Sequence, residues 1–238
     1  MTFRIIPRLE IKNENLIKGK KMEGLKIIGN PIEYIKNYYD EGADEILICD
    51  IVASLYGRKF DFNFLKKISN DVFLPLIIGG GLNEINDIVK AFQNGADKVV
   101  LNSYLFKDLS ILKKIASIYG SQAVVAEVQY KKTLNGQELR YESGRNNPKI
   151  EIFSWLRLLE QNHVGEIFIM SIDNDGINKS KIDFEFLEEI RNKVDIPLIY
   201  GGGISNKLEI ESLKKLGYQG ATISRSLHYK IKKVSDFK

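Results

Sequence analysis

The chain has 238 residues, 44% hydrophobic and 28% charged, an ordinary globular composition that excludes a disordered, collagen-like or disulfide-built protein. Its 35 Lys and Arg against 31 Asp and Glu leave a net charge of +4, too small and too dispersed for a nucleic-acid surface. The lone Cys49 can form no internal disulfide, no apolar run reaches the ~18 residues of a membrane span, and residues 1–4 carry no signal-peptide pattern, so a reducing, cytoplasmic setting is expected.

Short apolar, β-branched runs recur from end to end. They cover residues 4–11, 45–51, 73–78, 98–102, 122–128, 166–172, 196–200 and 220–224. Most are apolar at consecutive positions, as strands buried on both faces are. Amphipathic stretches of helical length separate them, clearest at 32–41, 62–70, 84–94, 109–119, 153–161, 184–193 and 207–216. Several stop at glycine: Gly42, Gly95, Gly120 and Gly217. About eight strand–helix units in one chain of this length predict a single (β/α)8 barrel (TIM barrel) domain over residues 1–238. The chain also repeats itself by half. Leu74-Pro75-Leu76-Ile77-Ile78-Gly79-Gly80-Gly81 returns as Ile196-Pro197-Leu198-Ile199-Tyr200-Gly201-Gly202-Gly203. A half-barrel repeat sets two equivalent loop groups on opposite sides of one rim.

Those glycine triplets are the first candidate site. A loop without Cβ atoms lets backbone N–H groups approach an anion. One phosphate site is expected at Gly202, Gly203, Ser224 and Arg225, with Gly176 nearby, and its half-barrel counterpart at Gly80, Gly81, Asn102 and Ser103. A substrate with two phosphates follows. Ser171-Ile172-Asp173-Asn174-Asp175-Gly176 offers a carboxylate, Asp175, at the same rim, although a capped turn has the same appearance. The two histidines, His163 and His228, have no metal spacing and are expected at the surface or in caps. No cofactor or metal site is read.

Arg4-Ile5-Ile6-Pro7, Lys18-Gly19, Gly42-Ala43-Asp44-Glu45, both glycine triplets, Gly95-Ala96-Asp97-Lys98, Gly120-Ser121-Gln122, Gly165-Glu166-Ile167 and the segment ending in Gly176 occur in one order over nearly the whole chain. In that order they resemble the HisF family, the cyclase subunits of imidazole glycerol phosphate synthase. The resemblance implies a barrel paired with a HisH-like glutaminase. Ammonia from the glutaminase enters at the barrel floor and reacts at the top with a ribotide carrying two phosphates. It further implies an acid/base pair of aspartates ending the first and fifth barrel strands. It also implies a floor gate of four charged residues, here Arg4, Glu45, Lys98 and Glu166, and a partner-signalling residue, here Asp97. Lys18 falls in the family's first loop.

The sequence departs from the family at the top of the barrel. Pro7-Arg8-Leu9-Glu10-Ile11-Lys12 places Glu10 where the family has aspartate, and Ala126-Glu127-Val128-Gln129 places Gln129 where it has the second. An added methylene moves the Glu10 carboxylate by about 1 Å, a misplacement able to cost about 10²-fold in rate. An amide cannot exchange protons near neutral pH. Glu127, two residues before Gln129, points the same way and is a displaced substitute deeper in the barrel. With the gate kept and the acid/base pair altered, the expectation is a HisF-like paralogue. It would pass ammonia on for amidation, for example of an N-acetyl sugar of a surface polysaccharide, with a sugar amidotransferase as a further partner. The alternatives are a working cyclase of histidine biosynthesis that uses Glu10 with Glu127 or Asp175, a non-catalytic activator of a glutaminase, and a phosphate-binding barrel with an unrelated isomerase activity.

Overall fold

The computed structural model describes residues 2–177 and 181–238. The first strand, β1 (Arg4–Lys12), turns at Asn13 into an antiparallel hairpin of β2 (Asn15–Lys20) and β3 (Glu23–Gly29). Helix α1 (Pro31–Asp40) starts where the Asn30 side chain accepts the amide of Ile32 and Pro31 presets the first turn. The chain continues through β4 (Ile46–Asp50), α2 (Phe62–Ser69), β5 (Leu76–Gly79), α3 (Ile85–Gln93), β6 (Lys98–Leu101) and α4 (Ser110–Tyr119). A long β7 (Val124–Thr133) folds back as β8 (Gly136–Arg140), and α5 (Ile152–Gln161) follows. The last units are β9 (Glu166–Ser171), α6 (Phe184–Arg191), β10 (Leu198–Gly201), α7 (Lys207–Lys215), β11 (Gly220–Ile223) and the single turn α8 (Arg225–His228).

Eight strands, β1, β4, β5, β6, β7, β9, β10 and β11, pair in parallel in that order, and β11 closes on β1 with Arg4 opposite Gly220 and Pro7 opposite Ile223. This is the predicted (β/α)8 barrel. Alternation along each strand builds two cores. Ile5, Leu9, Ile46, Ile48 and Ile78 face outward under the helices. Ile6, Leu47, Ile77, Val125, Phe168 and Ile199 face inward and fill the bore with an apolar layer.

Three boundaries differ from the sequence reading. The third barrel strand begins at Leu76, not at residue 73, because Pro75 has no amide to donate and Phe73 is 79% exposed. β7 runs to Thr133 because β8 pairs with it. The β2–β3 hairpin occupies what reads as a loop, and Lys18 lies on β2.

The two Gly-Ala-Asp motifs do the same job in each quarter where they occur. The Asp44 carboxylate accepts the Ile5 amide at 2.8 Å, and the Asp97 carboxylate accepts the Leu76 amide at 2.9 Å. Each tethers one strand start to its neighbour at the barrel floor.

Candidate active site and charged floor

At the floor, Arg4 of β1, Glu45 before β4, Lys98 of β6 and Glu166 of β9 form a closed ring of alternating charge. Arg4 bonds Glu45 at 2.9 Å and also bonds Glu166. Lys98 bonds Glu45 at 2.9 Å and Glu166 at 3.3 Å. Each cation touches both carboxylates, so the charges of the four side chains cancel. That balance is what a partly buried ionic cluster requires. The side chains of Arg4 and Lys98 keep 20% and 19% of their exposure, so the ring meets solvent on its outer side. Asp97, adjacent to Lys98, is exposed there.

At the opposite end two clefts flank the barrel axis. The larger, about 670 Å³, is lined by Gly80, Gly81, Asn102 and Ser103 together with Glu10, Glu127 and Gln129. The smaller, about 340 Å³, is lined by Gly176, Gly202, Gly203, Ser224 and Arg225 with Asp175. The half-barrel repeat therefore places its two glycine loops as expected. Gly80 has φ 85°, and a Cβ there would stand 2.1 Å from the Asp50 carbonyl oxygen, so only glycine fits. The rim side chains are engaged with the protein itself. The Asn102 amide donates to the Glu127 carbonyl at 2.8 Å, and the Ser103 hydroxyl donates to Asn102 at 3.2 Å. The Ser224 hydroxyl donates to the Arg8 carbonyl at 2.9 Å. The Arg225 guanidinium stacks over Tyr229, 4.9 Å from its ring centre.

Between the clefts lies a cluster the sequence reading found only in part. Arg8 points into the bore and is 1% exposed. Its guanidinium bonds Glu10 at 2.6 Å, reaches across the barrel to Glu127 at 3.3 Å, approaches Asp175 at 3.9 Å and lies 5.7 Å from the Phe168 ring centre. Lys18 enters from β2 and bonds Glu10 at 2.8 Å and Asp175 at 2.7 Å. Burial opposes ionisation of all three acids. At Glu10 the Lys18 and Arg8 cations outweigh it and hold the carboxyl below its usual range. At Glu127, and at Asp175, where the Glu10 charge adds to it, burial wins and the carboxyls are raised. Gln129 lies one layer above Glu127, with its side-chain oxygen buried and unpartnered. Asp50, which ends β4 in the same cleft, is paired with Arg58 at 3.2 Å. Arg8 was legible from parity alone, because it shares the inward face with Arg4, Ile6 and Glu10.

Residues 141–146 cross the larger cleft. Glu142, Ser143 and Gly144 are consecutive left-handed residues with φ 52°, 57° and 80°. Two of them bear side chains, a strained arrangement held by outside bonds. The Glu142 amide donates to Ser103 Oγ at 3.0 Å, and Ser143 Oγ donates to the Ile51 carbonyl at 2.7 Å.

Of the histidines, His163 is exposed in a left-handed turn after α5. The expectation of a surface or capping His228 is overturned. It is 1% exposed, with the Tyr38 hydroxyl 2.6 Å from Nδ1 and the Arg8 carbonyl 3.0 Å from Nε2. A carbonyl only accepts, so Nε2 carries a proton, and burial disfavours a second one on the ring. The α8 turn and β1 enclose it, and they were not read as neighbours in the sequence. Among the described residues, no group of three or more His, Cys, Asp or Glu side chains is arranged to hold a metal ion. No described helix is long and apolar enough to cross a membrane.

A family model described as "Histidine biosynthesis protein" matches residues 4–233. The chain is 41% identical over 207 residues to the imidazole glycerol phosphate synthase subunit HisF of Legionella pneumophila, covering 87% of this chain and 97% of that one. It is 36% identical over 237 residues to the protein of that name from Campylobacter concisus, with 98% and 94% covered. For the Flavobacterium psychrophilum protein of that name the values are 33% over 239 residues, with 100% and 95% covered. The chain belongs to the HisF family. In this HisF-family barrel the charged floor stands at one end of the bore and the two glycine-lined clefts at the other, with Arg8, Glu10 and Gln129 between the clefts.

Proposed function

We propose that this chain is the synthase subunit of a glutamine-dependent complex of the imidazole glycerol phosphate synthase type. A HisH-like glutaminase supplies ammonia at the floor, and the nitrogen is used in the upper clefts on a ribotide with two phosphates. The observation that carries this reading is the closed ring of Arg4, Glu45, Lys98 and Glu166 at one end of the bore, opposite two glycine-lined clefts at the other. A neutral ring of alternating charge suits a small neutral donor such as ammonia, since any net charge in the bore would meet an opposing member of the ring. The clefts, one on each side of the axis, suit one phosphate each. The names of the curated relatives support the same reading. Cyclisation needs a carboxylate that moves protons, and Glu127 on the fifth barrel strand is assigned to it, with Glu10 on the first strand as a charged neighbour and Gln129 orienting substrate through its amide.

A second reading is favoured by one observation. Glu10 and Glu127 both pair with Arg8, and the fifth strand ends in an amide. Such a chamber suits passage of ammonia to an acceptor on another protein, such as an N-acetyl sugar bound to an amidotransferase. The relatives' names give this reading no support of their own.

The deciding experiment incubates the purified chain, alone and with a HisH-like glutaminase, with the bisphosphorylated ribotide and either ammonium salt or glutamine. Turnover with both nitrogen sources, falling about 10²-fold or more in Glu127→Gln, is expected. Absence of turnover at every ammonium concentration, with glutamine hydrolysis still stimulated, overturns the cyclase reading. Nitrogen transfer to an added acceptor then supports delivery, and its absence leaves activation of the glutaminase alone.

A further inference from the structure

Glu10 and Glu127 face one cleft from opposite sides of the barrel mouth, but their cations are shared unequally. A single oxygen of Glu10, Oε1, takes bonds from Lys18 at 2.8 Å and from Arg8 at 2.6 Å. Among the described residues Glu127 is bonded by one cation, Arg8, at the longer distance of 3.3 Å. The other polar groups around Glu127 do not replace a second cation. Gln129, beside it on β7, gives it one neutral hydrogen bond, Cys49 faces it from β4, and the Glu10 and Asp175 carboxylates repel its charge from β1 and from the loop after β9. Asp50 lines the same cleft with its own counter-ion, Arg58. Phe168, in register with Glu127 on β9, gives the guanidinium an apolar face to rest on.

Among the described residues Arg8 is thus the one side chain that bonds both acids. Its carbonyl is held by Ser224 and His228, and its guanidinium spans β1 to β7. Two carboxylates in unequal electrostatic surroundings are the arrangement that separates an acid from a permanent anion. We propose that Arg8 is a positioning residue that gives the two carboxylates opposite proton roles, Glu10 as the fixed anion and Glu127 as the proton carrier of the cleft. Burial raises the Glu127 carboxyl, and the Arg8 guanidinium, with a hydrogen bond to Gln129, opposes that rise, so the group is poised to take a proton and to give it back. In the ammonia reaction nitrogen adds to a substrate carbonyl and sheds two protons in turn as the C=N bond forms; the ionised Glu127 takes each and passes it to the carbonyl oxygen, whose bond to carbon breaks so that it leaves as water. This last step rests on the cyclase reading; the unequal division between the two acids does not.

The test is a carboxyl-carbon NMR titration of the full chain, with Glu10→Gln and Glu127→Gln used to assign the two signals. In the wild type Glu127 is expected to titrate above the ordinary carboxylate range and Glu10 below it. Arg8→Gln should raise the Glu127 midpoint by about one pH unit or more, and the Glu10 midpoint by less because Lys18 remains. Arg8→Lys should restore most of the wild-type value, and the pH–rate profile of ribotide turnover should follow the same order. Titration of Glu127 together with surface glutamates in the wild type overturns the assignment, and so does a midpoint that ignores both Arg8 substitutions. If Arg8→Gln fails to fold, the wild-type titration and Arg8→Lys still decide. The expected titrations without ribotide turnover leave the role of Arg8 standing and overturn the cyclase reading alone.

Discussion

Acidification from pH 7 to pH 5 should destabilise this barrel through His228. The ring is enclosed by Tyr38, Tyr34 and the Arg8 carbonyl, and burial with the nearby Lys18 charge lowers its pKa from 6.5 to about 3. The unfolded chain protonates near 6.5, while the folded ring stays neutral down to about 3. Between those values the unfolded state binds the extra proton, so stability rises with pH and is lost as pH falls through the window. One pH unit is worth about 1.4 kcal/mol. Integration from pH 7 to 5 gives a loss of about 2 kcal/mol. Urea unfolding at the two pH values measures it, with His228→Gln as reference, since an amide preserves a donor and an acceptor but does not titrate. The substituted chain should lose about 2 kcal/mol less than the wild type over the same interval. Equal losses in both proteins would refute the account of a buried neutral imidazole. Glu127 and Asp175 act in the opposite sense, because raised carboxyls relieve the folded state as they take up protons, and both are common to the two proteins.

Three further outcomes are expected. Lys98→Met leaves Glu45 and Glu166 sharing Arg4 alone; in this partly exposed ring the cost should be about 1–2 kcal/mol by thermal unfolding, below the limit for a wholly buried pair. In the complex, glutamine-driven turnover should fall more than ammonium-driven turnover, and an equal fall would count against the floor as the entry. Gly80→Ala places a Cβ against the Asp50 backbone and should cost well over the ~1 kcal/mol of Gly57→Ala, a left-handed glycine with open space around it. Comparable melting temperatures for the two variants would refute the packing argument. Asp44→Ala and Asp97→Ala should each cost about 1–2 kcal/mol by releasing a strand amide, and a large inequality would show that the two quarters do not use the motif alike.

Much of the architecture was written in the residues. Apolar runs without alternation marked strands covered on both faces, and glycine-terminated helices between them left a parallel barrel as the consistent solution. The floor was legible only through the family resemblance, which aligned Arg4, Glu45, Lys98 and Glu166 with its gate; the structure sets each at or just before the start of a barrel strand. The upper chamber was less legible. Lys18 lies ten residues beyond the inward Arg8, on a hairpin whose turn at Asn13 has no strong signature, so its return to Glu10 depends on a fold-back that local sequence does not encode. Asp175 meets Lys18 only because the loop after β9 packs on that hairpin, with Lys21 donating to the Asp175 carbonyl at 2.8 Å. His228 was misplaced for a related reason: a four-residue helix carries too short a periodicity to show which side faces inward.

The bridge at residues 141–146 leaves Ser103 with a divided allegiance. Its oxygen already receives the Glu142 amide, and its only proton is given to Asn102. An incoming phosphate oxygen can claim that proton only if Asn102 surrenders it, and Asn102 in turn holds the carbonyl of Glu127. A phosphate bound as proposed at the glycine loop would therefore tug, through two side chains, on the backbone of Glu127.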